Sequence, residues 1–129
     1  MPVVTQLSVM VENKRGALAE VCTKFAEKAV NIIGLMAPQQ PGRVAVRIVV
    51  NHLDVAKDIL NQLGLKYTEE QVLDVRLSDR PGALGKLTRK LADAGVDINF
   101  AYSTILKGAG RANVILGVSD IEAASRFAK

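Results

Sequence analysis

The chain has 129 residues, of which 49% are hydrophobic and 23% charged, a globular balance that excludes a disordered or collagen-like protein. No apolar run approaches the ~20 residues that cross a bilayer, and residues 1–6 lack the features of a signal peptide. The single cysteine, Cys22, and the single histidine, His52, exclude an internal disulfide and the usual zinc sites. We therefore expect a cytoplasmic protein without a bound metal.

The first half of the chain alternates between strand and helix patterns. Apolar residues alternate from Leu7 to Val11, as in a half-buried strand, and then recur at helical spacing from Leu18 to Phe25. Downstream, the pattern predicts strands over residues 30–38 and 44–50, a helix capped by Asp54 and ended by Gly64, and a short strand over residues 65–68.

The second half repeats the first when the sequence is shifted by 66 positions without a gap. Gly16-Ala17-Leu18 then falls on Gly82-Ala83-Leu84, and the apolar positions stay in phase to the end of the chain. The repeat predicts a strand ending at residue 78, a helix over residues 81–94, a hairpin with strands near residues 97–106 and 111–118, and a last helix from Asp120. The chain stops before a fourth strand of the second copy.

The element order β-α-β-β-α-β is typical of the ferredoxin-like α+β fold, in which two helices cover one face of an antiparallel sheet. We expect two tandem domains over residues 1–69 and 70–129, the second without its last strand. The missing strand would leave the first strand of the second copy unpaired at one edge. We expect the first copy, or a second chain, to cover this edge.

The turn from first strand to first helix carries the chemistry of each copy. Gly16 and Gly82 lie where the backbone N–H groups of a helix start are free to bind a carboxylate, and a glycine lets a ligand approach. Asn13 and Asp79 precede these helices, where they could cap the helix or contact a ligand. Another polar residue, Asn31 or Asp97, follows each glycine after 15 positions, at the start of the second strand.

These motifs resemble those of the ACT domain family. Asp79-Arg80-Pro81-Gly82-Ala83-Leu84 is followed by Ala94-Gly95-Val96-Asp97-Ile98, and Asn13-Lys14-Arg15-Gly16-Ala17-Leu18 by Ala29-Val30-Asn31-Ile32. The resemblance covers nearly all of the chain and is greatest to small stand-alone proteins made of two ACT domains. It implies a sensor in which paired domains bind a free amino acid, between the strand-to-helix loop of one domain and the second strand of its neighbour.

Carried onto this chain, the resemblance implies a set of ligand-binding positions in the two loops and at the two strand starts: Asn13, Arg15, Gly16, Ala17, Leu18, Asn31, Asp79, Pro81, Gly82, Ala83, Leu84 and Asp97. The serine-binding type of ACT domain has a histidine where Val11 and Leu77 stand here, and Arg15 occupies the place of the expected proline. The resemblance thus implies amino-acid binding in general and not serine in particular.

The polar groups suggest how a zwitterion would be held. Backbone amides near Gly16 or Gly82 would take the carboxylate, and Asn31 or Asp97 would help to hold the ammonium group. The leading hypothesis is therefore a non-catalytic regulatory module without a cofactor. It would signal through homodimer assembly or a metabolic enzyme partner.

Two other hypotheses have less support. The net charge of +4 would suit a ferredoxin-like protein that binds nucleic acid, but its few aromatic residues fall on a second strand in one copy only. A small enzyme with Arg80 and Asn99 as substrate holders would need an acid/base pair or an activated nucleophile, and the sequence suggests neither. The identity of the amino acid and the copy that binds it stay open at this level.

Overall fold

The computed structural model of the chain describes residues 3–78, 80–105 and 111–126. In these residues the elements follow the predicted order with one correction: the predicted short strand over residues 65–68 and the first strand of the second copy form one continuous strand, Tyr67–Ser78. Every strand pair with a defined register is antiparallel, which confirms the α+β class. The elements are β1 (Val3–Glu12), α1 (Ala17–Glu27), β2 (Ile32–Met36), β3 (Arg43–Val50), α2 (Leu53–Gln62), β4 (Tyr67–Ser78), α3 (Ala83–Asp93), β5 (Ile98–Ile105), β6 (Arg111–Val118) and α4 (Ile121–Ser125). None of the helices in the described ranges is long and apolar enough to cross a membrane.

The first compact unit consists of residues 5–70. Its sheet has the order β2-β3-β1, followed by residues 67–70 of β4, and the Met10 amide donates to the Lys66 carbonyl at 2.9 Å. Alternate residues of β1 and β3 point to one face, where α1 and α2 cover them. The core on this face contains Leu7, Val9, Val11, Val21, Phe25, Val30, Val44, Val46, Ile48, Ala56, Ile59 and Leu60.

The second compact unit contains residues 71–126 of the described chain together with Val3 and Val4 at the start of β1. Its sheet has the order β4-β6-β5, and β1 is the other hydrogen-bonded neighbour of β4. The described residues contain no further strand after α4. Its core consists of Leu73, Val75, Leu87, Leu91, Val96, Val114, Leu116 and Ala124.

The register of the sheets corrects the length of the repeat. Leu7 pairs with Ile48 in the first unit, whereas Leu73 pairs with Leu116 in the second. The two copies are therefore offset by 66 residues at the first strand and by 68 at the third, with the two extra residues in the second hairpin. The ungapped match looked continuous because a shift of two residues keeps every strand side chain on the same face.

One predicted cap is wrong. Asp54 precedes the apolar pattern of α2 and is predicted to cap it, and an ungapped offset of 66 also places Asp54 on Asp120. The structural equivalent of Asp120 is His52, which occupies the N-cap position without a side-chain hydrogen bond, and Asp54 lies in the first turn. Asp120 itself caps α4, where its side chain accepts from the Ala123 amide at 3.0 Å.

Candidate functional site

The start of α1 presents backbone donors at its N-terminus. Gly16 occupies the N-cap position in the left-handed conformation, with φ of 88°, which a glycine adopts without the strain of a Cβ. No side chain caps this helix. In the described part of the chain, the amides of Gly16, Leu18 and Ala19 donate no hydrogen bond. The helix start is therefore available to an anionic group such as a carboxylate.

Asn13 anchors the loop before this helix. Its side-chain Nδ2 donates to the carbonyl oxygen of Gln40 at 2.7 Å, and its backbone amide donates to the Gly42 carbonyl at 2.8 Å. Both bonds tie the β1–α1 loop to the β2–β3 loop. The helix-capping interpretation of Asn13 is therefore wrong, and the side chain instead fixes the loop beside the helix start.

A cavity of about 320 Å³, here called the loop cavity, opens beside this loop. Its volume lies within the ~300–1,000 Å³ range of small-molecule sites. Of the predicted site residues, Asn13 and Leu18 line it, with apolar side chains of β1 and β3 as its floor. The lining consists of Val11, Glu12, Asn13, Lys14, Leu18, Ala37, Pro38, Gln39, Val44 and Val46.

Lys14 lies between the loop cavity and a second cavity of about 380 Å³, which also includes Ala17. The Lys14 Nζ lies 3.1 Å from the Glu12 carboxylate. The hydrogen bond and the charge of Lys14 hold the pKa of Glu12 below its ordinary value, and Arg43 lowers it further. Glu12 therefore stays ionised and partly offsets the positive charge of Lys14 at the mouth of the loop cavity.

The second unit repeats the helix start. Gly82 has φ of 90° at the N-cap position of α3, and its carbonyl accepts from the Lys86 amide at 2.9 Å, as the Gly16 carbonyl accepts from Glu20 at 3.0 Å. Pro81 is exposed in the turn, Ala83 is half-buried, and Leu84 is 49% exposed, whereas its counterpart Leu18 packs against the first core. Asp79 lies outside the described residues.

The two strand-start residues lie at the opposite end of each sheet from the loops. In the first unit β2 begins opposite Val50, next to Asn31, whereas Arg43 at the other end of β3 pairs with Glu12, next to Asn13. Seven residue steps along β3 separate these points, roughly 23 Å. The second unit has the same seven steps between Val118 and Arg111. A unit therefore does not bring its own strand start to its own loop.

Asn31 and Asp97 are both exposed, and their side chains make no hydrogen bond or ion pair within the described ranges. Arg15 is likewise exposed in the first loop. No group of three or more His, Cys, Asp or Glu side chains that could hold a metal ion occurs among the described residues. The predicted positions thus fall into two sets, the helix starts with their loops and the two strand starts.

Comparisons with known proteins agree with this architecture. Protein BT0572 from Bacteroides thetaiotaomicron has a similar structure, with a TM-score of 0.89 and 28% identity over 96% of this chain and 85% of that one. The ligand-free regulatory subunit of aspartate kinase from Thermus thermophilus has a TM-score of 0.69 and 18% identity over 97% of this chain and 91% of its own. The corresponding Thermus flavus subunit has a TM-score of 0.63 and 18% identity over 98% and 94% of the two chains.

No curated protein sequence matches the chain. A family model described as an ACT domain pair matches residues 2–125, nearly the whole chain. With two copies of the ferredoxin-like unit and a left-handed glycine at both helix starts, the chain belongs to the family of ACT domain pairs.

Proposed function

We propose that this protein is a non-catalytic regulatory module that binds a free amino acid between ACT domains and signals through a change in assembly or in a partner protein. The observation that carries the proposal is the start of α1, where free backbone amides follow the left-handed Gly16 beside a cavity of about 320 Å³. These amides would hold the carboxylate of the amino acid. The apolar floor of the loop cavity would receive part of its side chain.

The ammonium group requires an acceptor, which the exposed side chain of Asn31 or Asp97 offers. Because the strand start lies roughly 23 Å from the loop of its own unit, the acceptor would come from another ACT domain. That domain would be the other one of the same chain or one of a second copy, and we propose a homodimer, or an assembly with a metabolic enzyme, as the form that binds. The single cysteine fits a protein of the reducing cytoplasm.

The aromatic residues argue against the alternative of nucleic-acid binding. Phe100 and Tyr102 are half-buried on β5, and the Phe100 ring covers Gly117 on the neighbouring strand. A ring that already packs on the sheet is a poor stacking platform for a base.

A thermal-shift screen of ligand-stripped protein against the proteinogenic amino acids tests the proposal. At about 100 times its Kd, a bound amino acid adds ~2.7 kcal/mol of stability. We expect a rise in Tm of roughly 5–10 °C for one or two amino acids. Sedimentation with and without a hit would show whether binding changes the assembly.

Two substitutions at the strand starts complete the test. In the copy that binds, Asn31→Ala or Asp97→Ala should weaken the affinity for the amino acid, which calorimetry measures. The control variants are Asn61→Ala and Asp58→Ala, which change exposed residues of α2 and should leave the affinity unchanged. The absence of a shift for every amino acid would refute the proposed function. Unchanged affinity in both strand-start variants would refute the ammonium assignment alone.

A further inference from the structure

In each unit, one residue after the third strand holds the backbone of the strand-start residue by two hydrogen bonds. The Asn31 amide donates to Oδ1 of Asn51 at 2.8 Å, and the Asn51 amide donates to the Asn31 carbonyl at 3.2 Å. The Asp97 amide donates to Oγ of Ser119 at 2.9 Å, and the Ser119 amide donates to the Asp97 carbonyl at 3.0 Å. Both backbone polar groups of Asn31 and of Asp97 are thereby paired.

A side-chain oxygen is needed here because the main chain turns away from the sheet. In a continued antiparallel ladder the acceptor would be the backbone carbonyl of the opposite residue. Asn51 and Ser119 instead immediately precede the N-cap residues His52 and Asp120, with which the next helices begin. Their side chains therefore provide the acceptor that the departing backbone no longer offers.

A second feature fixes the same segment from its other side. The pairing of β2 with β3 shifts register between Ile32 and Gly34, and the pairing of β5 with β6 shifts between Ile98 and Phe100. Such irregularities re-aim side chains and are common beside functional sites. Both copies thus confine the strand start between a side-chain hydrogen bond and a register shift.

We propose that Asn51 and Ser119 are positioning residues for amino-acid binding. They hold the backbone of Asn31 and Asp97 so that the exposed side chains of these residues, which make no bond of their own, face a neighbouring domain in a fixed direction. This inference rests on the proposed function. Asn51 and Ser119 use an acceptor oxygen for this bond, which both asparagine and serine offer, so the two residue types should be interchangeable at both positions.

The test compares variants that remove the side-chain acceptor oxygen with variants that replace it by the acceptor of the other residue type. Asn51→Ala and Ser119→Ala remove it, singly and together, whereas Asn51→Ser and Ser119→Asn restore it. Asn61→Ala and Ser103→Ala are controls at exposed positions whose side chains make no hydrogen bond among the described residues. Each variant is titrated calorimetrically with every proteinogenic amino acid, and hydrogen exchange of the amides of residues 31 and 97 is measured by NMR without any amino acid.

We expect the alanine variant in the binding copy to lose roughly five- to tenfold in affinity, as for a lost hydrogen bond. Its amide at residue 31 or 97 should exchange faster. Asn51→Ser and Ser119→Asn should keep both the affinity and the protection of these amides from hydrogen exchange, as should the control variants. Loss of protection with unchanged affinity would refute the positioning role while leaving the proposed function intact. Wild-type protein that binds no amino acid would overturn both, and the exchange rates would still show whether the side-chain hydrogen bond forms.

Discussion

The Nζ of Lys14 lies 3.1 Å from Oε2 of Glu12, at the point where β1 passes into the loop before α1. Both side chains are more than half exposed, so their attraction is screened and its effect on stability is small. Its effect on ionisation is clearer, because Lys14 lowers the pKa of Glu12. The pair therefore sets the charge at the mouth of the loop cavity without holding the fold together.

Replacing Lys14 by Gln should raise the pKa of Glu12 toward the ordinary glutamate value. A lowered folded-state pKa contributes stability above the unfolded-state pKa, and this contribution is lost as the pH falls through the folded value. An NMR titration of the Glu12 carboxyl measures the change, and Lys24→Gln, which removes the partner of Glu27, is the control. A Glu12 midpoint equal in wild type and Lys14→Gln would contradict the assignment.

The role of Asn13 could not be predicted from the residues next to it in the sequence. Asparagine before a helix is a preferred cap, and contact with a ligand is the other role that the sequence leaves open. Its actual partner is the carbonyl of Gln40, 27 residues away, which the β2–β3 hairpin brings beside the loop. Local preference was overridden by a tertiary contact. The sequence singles out Gly16 and Gly82 at the helix starts, whereas their left-handed backbone is a finding of the structure.

At the scale of elements, the order of strands and helices followed from apolar periodicity because that signal reports which face is buried. The exact offset between the two copies was harder to predict. The two extra residues in the second hairpin keep the strands in phase, so apolar residues still match at the wrong offset. Asn51 and Ser119 correspond only at an offset of 68, which is why their common role is hidden from an ungapped comparison.

The contact between β5 and β6 yields a prediction for a glycine. A Cβ added at Gly117 would overlap the Phe100 ring on the opposite strand. Gly117→Ala should therefore cost roughly 1–3 kcal/mol by overpacking, measured by urea unfolding. Combined with Phe100→Ala, it should cost less than the sum of the two single changes, since the clash is gone.

Gly85 in α3 is the matched control for this prediction. A Cβ there meets no atom within 4 Å and the backbone is not left-handed, so Gly85→Ala should stabilise by about 0.4–1 kcal/mol. If Gly117→Ala were also stabilising, or if it added fully to Phe100→Ala, the ring would not be the obstacle.

For the whole molecule, each compact unit has its own cluster of buried apolar residues. Ile59 belongs to the first cluster and Val114 to the second, and both are about 5% exposed or less. Ile59→Val should cost about 0.5–1.5 kcal/mol. In the double variant Ile59→Val with Val114→Ala, the loss in free energy of unfolding should equal the sum of the two single losses within roughly 0.5 kcal/mol, because the two residues belong to separate clusters.

Urea unfolding of the two single variants and the double variant measures this additivity. A coupling energy well above the experimental error would show that the clusters do not respond independently. Val9→Ala with Ile48→Val, two changes inside the first cluster, provides the comparison in which coupling is expected.

The division of the chain into units has a consequence for how it can be cut. The backbone passes from one unit to the other twice, between Val4 and Thr5 inside β1 and between Glu70 and Gln71 inside β4. Domain boundaries ordinarily fall in exposed linkers that a protease can reach. Here both crossings lie inside strands instead. A fragment that ends at residue 70 would still contain Val3 and Val4, which belong to the second unit, so a cut at the end of the first repeat does not isolate the first unit alone.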